Sequence, residues 1–246
     1  MKIPLSDILV VIPARGGSKR IPNKNIKEIL GQPMIYWPLM ALSNLFDSKN
    51  IVVSTDSDLI KATVEAKGLV VPFKRPENLS DDFTGTAEVV THALKWYEKN
   101  VQKVKFVLTV YPTAVMLSEL DIEAAMNTLT HDQNCDSVMS ATNFPFPIQR
   151  AVYENSKGYA EMFEPQYYPK RSQDLTEAMH DAGQFYLSKA DAVRNGALLT
   201  NSNVKLQLLH RNKVIDIDTL EDFEIAEKKL QLYKQQSNFK YWHFSK

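Results

Sequence analysis

The residues with the clearest chemical potential form a cationic loop near the start of the chain. Residues 8–12 are a run of branched aliphatic side chains, long enough for one buried strand, that stops at Pro13. The loop that follows carries two adjacent glycines and four cations, Arg15, Lys19, Arg20 and Lys24. Free backbone N–H groups and cations at the carboxyl end of a parallel strand form a cradle for phosphate groups. The loop therefore predicts a polyphosphate site, with a solvated basic turn as the alternative.

Two common phosphate-binding loops do not match this stretch. The P-loop pattern requires glycine, four residues and then Gly-Lys-Ser/Thr, which the stretch does not contain. The dinucleotide pattern Gly-x-Gly-x-x-Gly also fails, because the glycines are adjacent and no third glycine follows. A nicotinamide oxidoreductase is therefore improbable.

A second chemical motif is the acidic pair Asp216-Ile217-Asp218. On an extended segment, side chains two residues apart point to the same face. Two carboxylates on one face, with positions left for water and phosphate, form a typical Mg²⁺ site. The alternative is that Asp218 caps the following helix with Glu221 as its partner. Asp216 is therefore the clearer candidate for a metal ligand.

Composition restricts the class of partner. The 246 residues carry 29 Lys+Arg and 29 Asp+Glu, a balance that argues against a general nucleic-acid binder. The single cysteine, Cys135, excludes an internal disulfide framework. The N-terminal sequence matches neither a secretory signal nor a membrane span, so we expect a cytoplasmic protein without membrane contact.

The order of predicted elements indicates an α/β fold with a doubly wound, mostly parallel sheet. Strands are predicted at 8–12, 50–54, 69–72, 105–110, 136–141, 184–187 and 203–209, and helices at 33–45, 58–67, from 84 or 86 to 97, 118–129 and 219–233. Pro33 is expected in the first turn of its helix, and Ser118 is expected to cap its helix with Asp121 as box partner. We predict one domain over residues 1–235, with a β-rich arm inserted at 143–181, and a tail at 236–246.

The loop sequence PARGGSKRIPNKN, from Pro13 to Asn25, resembles the N-terminal signature of the CMP-sialic acid synthetase family. These cytidylyltransferases activate nine-carbon acidic sugars on a Rossmann-like nucleotidyltransferase fold. The resemblance implies that Arg15, Lys24 and Asp216 are catalytic and that Asp216 and Asp218 bind Mg²⁺. Arg75-Pro76 and the segment from Leu79 to Thr86 resemble the family's nucleotide-facing segment. The implied nucleotide-binding set is Arg15, Gly16, Gly17, Ser18, Lys24, Asn25, Arg75, Thr84 and Thr86.

Three shorter stretches resemble the pseudaminic acid branch of this family: FPIQR at 146–150, RSQDL at 171–175 and HDAGQFY at 180–186. An acidic sugar needs a cation for its carboxylate, for which Arg150 and Arg171 are the candidates. His180 is either a base or a structural histidine bonded to Asp181. The segment from Tyr111 to Ala114 departs from the Gln-Pro-Thr-Ser of sialate enzymes, so contacts there are not carried over. The implied substrate-binding set is Arg150, Arg171, Gln173, His180, Gln184 and Tyr186.

The resemblance implies that CTP and a nonulosonic acid give a CMP-sugar and pyrophosphate. Pseudaminic acid is the first choice of sugar, and N-acetylneuraminic or legionaminic acid is the alternative. It also implies a homodimer in which the arm docks against the partner near its active site. An alternative of another class is a nucleotide-binding regulator that has lost catalysis.

Overall fold

A six-stranded sheet organises the protein. The computed structural model describes residues 3–196 and 203–236, except for the side chain of Gln236. The strand order is β10-β6-β9-β5-β1-β4, and β9 runs antiparallel to both of its neighbours. The sheet strands are β1 (Ile8–Pro13), β4 (Ile51–Ser54), β5 (Phe106–Val110), β6 (Ser137–Asn143), β9 (Met179–Lys189) and β10 (Val204–Leu208), and two small hairpins contribute β2 (Glu28–Ile29), β3 (Gln32–Pro33), β7 (Val152–Glu154) and β8 (Ala160–Met162).

Strand β1 is buried on both faces. It pairs in parallel with β4 on one side and β5 on the other, so that Val10 lies opposite Ile51 and Leu108. Helices cover both faces of a parallel sheet, which explains why this strand is continuously aliphatic rather than alternating. The predicted first strand is confirmed, and its carboxyl end delivers the cationic loop to the edge of the sheet.

Helices lie on both faces of the sheet, as the doubly wound prediction requires. One face packs against α1, α2 and α4, and the other packs against α3 and α5. Helix α6 covers a third apolar cluster that includes Ile21 and Ile217, next to the cationic loop and the acidic pair. The helices are α1 (Tyr36–Leu45), α2 (Asp58–Glu65), α3 (Thr86–Asn100), α4 (Glu119–His131), α5 (Ala190–Arg194) and α6 (Leu220–Gln236).

One predicted strand is wrong, and one predicted helix begins later than expected. Residues 69–72 do not form a strand, although Leu69 and Val71 are buried and Val70 is exposed, as in a strand. The backbone instead passes the end of β4 and makes a single bridge, between Thr55 and Lys74. Helix α1 begins at Tyr36 rather than at Pro33 because Pro33 belongs to β3.

The helix caps leave the carboxylates of the acidic pair available for contacts within the site. At α4, the Ser118 N–H donates to the Asp121 carboxylate (2.9 Å), as predicted. At α6, Thr219 rather than Asp218 makes the capping interactions: its N–H donates to Asp222 Oδ2 (2.7 Å), and its Oγ1 accepts from the Asp222 N–H (3.2 Å). Asp218 therefore does not cap this helix with Glu221, and its carboxylate is free for other contacts.

The inserted arm leaves the sheet after β6 and returns in β9. It contains the β7–β8 hairpin and several single-turn helices, and many of its apolar side chains are exposed. Residues 237–246, almost all of the predicted tail, lie outside the described residues. Within residues 3–196 and 203–236, none of the helices has the length and apolar character needed to cross a membrane.

Candidate active site

A polar cavity of about 700 Å³ opens at the carboxyl ends of β1 and β5. Its wall is built from the cationic loop, the segment before α3, the residues after β5, the middle of β9 and the acidic pair before α6. The polar side chains that line it include Arg15, Lys19, Arg20, Lys24, Arg75, Asp82, Thr86, Tyr111, Asp181, Tyr186, Asp216 and Asp218.

The cationic loop and the acidic pair meet in this cavity. Lys24 Nζ donates to the Ile217 carbonyl oxygen (2.7 Å) and lies 3.3 Å from Asp218 Oδ1. Arg20 Nη2 lies 2.9 Å from the other oxygen, Asp218 Oδ2. Two motifs 194 positions apart in the chain are thus in direct contact. The juxtaposition matches what a magnesium triphosphate requires, namely cations for phosphate and carboxylates for a metal.

The cationic loop is held in place by its backbone. The Gly16 N–H donates to Asp56 Oδ1 (2.9 Å), and Asn25 Nδ2 donates to the Arg15 carbonyl oxygen (2.9 Å). A Cβ atom at Gly16 would lie 2.8 Å from Ser57 Cβ, so only glycine allows this close approach. These contacts fix the direction in which Arg15 leaves the backbone.

Arg75 is a buried cation beside the loop, 5% exposed. Its Nε donates to Ser54 Oγ (3.1 Å) and its Nη2 to the Ser54 carbonyl oxygen (2.5 Å). Burial lowers the pKa of Arg75 to about 10, attraction to Asp56 partly offsets this, and repulsion from Arg15 adds to it. The guanidinium therefore remains charged at neutral pH and contributes positive potential to the cavity.

The acidic pair has the donor set of a Mg²⁺ site. Asp216 and Asp218 both line the cavity, and within the described residues Asp216 forms no salt bridge. Partial burial raises the pKa of Asp216, and repulsion from Asp218 raises it further. A divalent cation would relieve this repulsion. Mg²⁺ is commonly held by one or two carboxylates together with water and phosphate, so the two residues fit the ion without a third protein ligand.

Another part of the cavity is lined by hydroxyl groups and one carboxylate. Tyr111 OH lies 2.8 Å from Thr86 Oγ1, and its ring packs edge-on against Tyr186 at 5.8 Å. The Tyr186 hydroxyl donates to Asp181 Oδ2, and Asp181 Oδ1 accepts from the Gly183 N–H (2.8 Å). Burial raises the pKa values of both tyrosines, so both remain neutral hydrogen-bonding groups. This surface suits a polyhydroxylated ligand.

Comparison with known proteins identifies the family. The cytidylyltransferase family model matches residues 9–241. The chain belongs to the cytidylyltransferase family. It is 37% identical over 219 residues to a pseudaminic acid cytidylyltransferase of Campylobacter jejuni, covering 89% of this chain and 94% of that protein.

A second relative agrees with this membership, and a solved structure has the same fold. An N-acylneuraminate cytidylyltransferase of Streptococcus agalactiae is 31% identical over 219 residues, covering 87% of this chain and 51% of that protein. A CMP:2-keto-3-deoxy-manno-octonic acid synthetase solved with CTP has a TM-score of 0.66 at 19% identity, covering 94% of this chain and 99% of that one. At that identity the structure supports the fold alone, and it confirms the predicted nucleotidyltransferase architecture.

The cavity of this cytidylyltransferase collects most of the residues predicted for nucleotide and metal. Gly16 and Gly17 do not line the cavity, and Gly16 is required by the close approach of Ser57. Thr84 lines the wall, where its N–H and hydroxyl both donate to Asp81 Oδ1 (2.7 Å each). The residues predicted for nucleotide and metal that line the cavity are Arg15, Ser18, Lys24, Asn25, Arg75, Thr84, Thr86, Asp216 and Asp218.

The residues predicted for the sugar are dispersed. Of that set, Tyr186 alone lines the cavity among the described residues. Gln184 is buried and does not line the cavity, and Gln173 lines a separate cleft of about 270 Å³ in the arm. His180 Nδ1 lies 2.7 Å from the Asp181 carbonyl oxygen, so it contacts the backbone of Asp181 rather than its carboxylate.

The two arginines predicted for the sugar carboxylate make contacts inside the arm. Arg150 donates to the Lys170 carbonyl oxygen, and Arg171 pairs with Asp174 (2.8 Å). Neither lines the cavity of its own chain. Their assignment to the sugar stays a prediction.

Asp82, Tyr111 and Asp181 line the cavity, although the sequence did not single them out as site residues. Asp82 lies in the segment that contains the predicted residues Thr84 and Thr86, and Asp181 lies beside the predicted residue His180. Tyr111 was set aside because it departs from the sialate pattern. The available signal was position, since all three lie in segments already predicted to face the ligand.

We expect Gly16→Ala to destabilise the ligand-free protein, because the added methyl group would overlap Ser57. Overpacking of this kind costs about 1–3 kcal/mol. The matched control is Gly17→Ala, whose Cβ would meet no atom within 4 Å. Urea unfolding of the two variants would test this, and equal midpoints would contradict the close packing at Gly16.

Proposed function

We propose that the protein transfers CMP from CTP to the anomeric hydroxyl of a nonulosonic acid, with pseudaminic acid as the preferred sugar. The observation that carries this proposal is the contact of the cationic loop with the acidic pair in one cavity, through Lys24 and Asp218. The relative of Campylobacter jejuni supports the choice of sugar by its name and its 37% identity.

In the proposed reaction the sugar hydroxyl attacks the α-phosphorus of CTP in line and loses its proton. The new sugar–phosphorus bond forms as the bond between the α- and β-phosphates breaks, and pyrophosphate leaves. This chemistry asks a protein mainly for positioning and charge neutralisation. Arg15 and Lys24 line the cavity as cations that can offset the charge gained by pyrophosphate. Arg75 adds positive potential from the wall of the cavity.

Mg²⁺ is the proposed cofactor, held by Asp216 and Asp218. When bound, this ion neutralises charge on phosphate oxygens and lowers the pKa of a coordinated hydroxyl. Lys24 then supports the site by holding the carbonyl oxygen of Ile217, the residue between the two aspartates.

The surface formed by Tyr111, Asp181 and Tyr186 is proposed to receive the sugar. It offers neutral hydroxyl groups and one carboxylate, which match a ligand rich in hydroxyl and N–H groups. Arg150 and Arg171 lie outside this cavity, so they would reach a sugar from the arm of a second copy. A homodimer is therefore part of the proposal, as is a cytoplasmic setting.

Asp216→Asn and Lys24→Ala should each remove most turnover. Loss of one preorganised charge at a transition state costs on the order of 3 kcal/mol, which is roughly a hundredfold in rate. The measurement is pyrophosphate release with CTP and sugar, with circular dichroism to establish that the fold is intact. Glu221→Gln, an exposed carboxylate in the first turn of α6, is the matched control and should retain activity. Near-normal CMP-sugar synthesis by Asp216→Asn or Lys24→Ala would count against the assignment.

One panel of four sugars can decide which nonulosonic acid is the substrate. Pyrophosphate release should be fastest with pseudaminic acid when it is compared with legionaminic, N-acetylneuraminic and deoxyoctulosonic acids. Preference for N-acetylneuraminic acid would refute the narrow assignment and keep the reaction class. CTP binding without pyrophosphate release for any of the four sugars would favour the non-catalytic regulator.

The arm should hold two copies together. Phe146 and Phe163 are 78% and 66% exposed in the single chain, an arrangement that suggests an interface. We expect light scattering to give a dimer for the wild-type protein. The double variant Phe146→Ser, Phe163→Ser should dissociate at a higher protein concentration than the wild type does. Leu120→Ser, which removes a 73% exposed apolar side chain from α4, is the control. A monomeric wild-type protein at working concentration would contradict the dimer.

A further inference from the structure

All four cations of the loop are held by two carboxylates. Asp218 pairs with Arg20 and Lys24, as described above. Asp82 makes the second set: its Oδ1 accepts from Arg15 Nη1 (2.8 Å), and its Oδ2 pairs with Lys19. Each carboxylate therefore bridges two cations, in the way that a phosphate group would. These two carboxylates offset part of the positive charge of the loop from within the protein.

Asp218 and Asp82 differ in whether they have a second proposed role. Asp218 belongs to the pair proposed to bind Mg²⁺, so its place in the cavity has a separate reason. Asp82 comes from the segment just before α3, and nothing in the proposed reaction uses it. Its contacts with the loop therefore need an explanation of their own.

The local structure aims Asp82 at the loop. The neighbouring Asp81 Oδ1 accepts from the N–H groups of Phe83 (3.0 Å) and Thr84 (2.7 Å), which closes a tight turn. The Asp81 carbonyl oxygen also accepts from Arg15 Nη1 (2.9 Å). At the tip of this turn Phe83 is 94% exposed, so little packing holds the turn in position. Asp82 is held against the loop mainly by polar contacts, which a more highly charged anion can replace.

We propose that Asp82 is an internal competitor for the triphosphate: it occupies Arg15 and Lys19 in the empty enzyme and is displaced when CTP binds. This inference rests on the proposed function, because it takes the loop to be the phosphate site. Asp82 is then an affinity-setting residue rather than a catalytic one. It lowers the affinity of the loop for polyphosphate and returns to the cations as pyrophosphate leaves.

The energetics allow displacement without blockage. Exposed ion pairs are individually weak, and a triphosphate carries several charges against one on Asp82. The hydrogen bond from Lys19 lowers the pKa of Asp82, so it remains ionised wherever CTP is fully charged. Competition from Asp82 is therefore present across the neutral range. It should weaken as salt screens the exposed charges.

The test is calorimetric titration of the full chain with Mg²⁺-CTP, pyrophosphate and inorganic tripolyphosphate. Asp82→Asn should bind each of them more tightly, with Kd lower by roughly two- to tenfold, the amount expected for two exposed ion pairs. The inhibition constant of pyrophosphate should fall by a similar factor. The gain should shrink when the salt concentration is raised. Asp82→Glu, which keeps the charge, should stay within about twofold of the wild type.

Asp7→Asn is the matched control for the change in charge. Asp7 pairs with Lys105 (2.9 Å) at the opposite end of β1 from the cavity, so this variant removes one negative charge and one exposed ion pair elsewhere. Its affinities should equal those of the wild type. Unfolding curves of all variants would establish that binding is compared between folded proteins.

The outcomes separate this inference from the proposed function. If the wild type bound neither CTP nor tripolyphosphate, the proposed function itself would fail. If the wild type bound both and Asp82→Asn bound them equally or more weakly, competition by Asp82 would be refuted. Equal tightening by Asp82→Glu or by Asp7→Asn would also refute it, because the effect would not then depend on the charge at position 82.

Discussion

The central constraint on this structure is the repulsion within the cationic loop. Four cations within ten residues repel one another unless anions lie between them. The fold supplies those anions from two distant places, Asp82 and Asp218, which are 67 and 194 positions away from Arg15 and Lys24. Because both carboxylates arrive only when the sheet is assembled, the site depends on the whole fold. The buried strand β1 is the fixed point, since it delivers the loop to the edge where the two acidic segments meet.

The parts of the fold that could be predicted are those encoded locally. The aliphatic run of β1 and the Ser118–Asp121 cap are read directly from residue types at short spacing. The failures are non-local: Leu69 and Val71 show the alternation of a strand, but their backbone finds no partner beyond the bridge at Lys74. The direction of β9 was likewise hidden, because its antiparallel pairing with β5 and β6 depends on where the arm returns.

The same distinction applies to the site. Arg15, Lys24 and Asp216 stand in motifs whose chemistry is visible in a few letters, and the structure brings them into one cavity. Asp82 has no such motif, because its role depends on a turn that aims it at a loop far away in the chain. Arg150 is the opposite case, since its motif was visible but its position in the arm keeps it out of the cavity of its own chain.

The charges that line the cavity support the proposed role of the arm in binding an acidic sugar. Burial raises the pKa of Tyr111, and the negative charges of Asp181 and Asp216 raise it further. Ala114, at the position where sialate enzymes carry a serine, is fully buried and offers no polar group. Among the described residues, the cations that line the cavity belong to the cationic loop or, like Arg75, stand beside it. A sugar carboxylate resting on Tyr111 and Tyr186 would therefore face acidic neighbours unless a cation arrived from outside the chain. Arg150 and Arg171 are cations on the exposed arm, and neither lines this cavity. A second copy that brings this arm over the tyrosines would supply the missing positive charge.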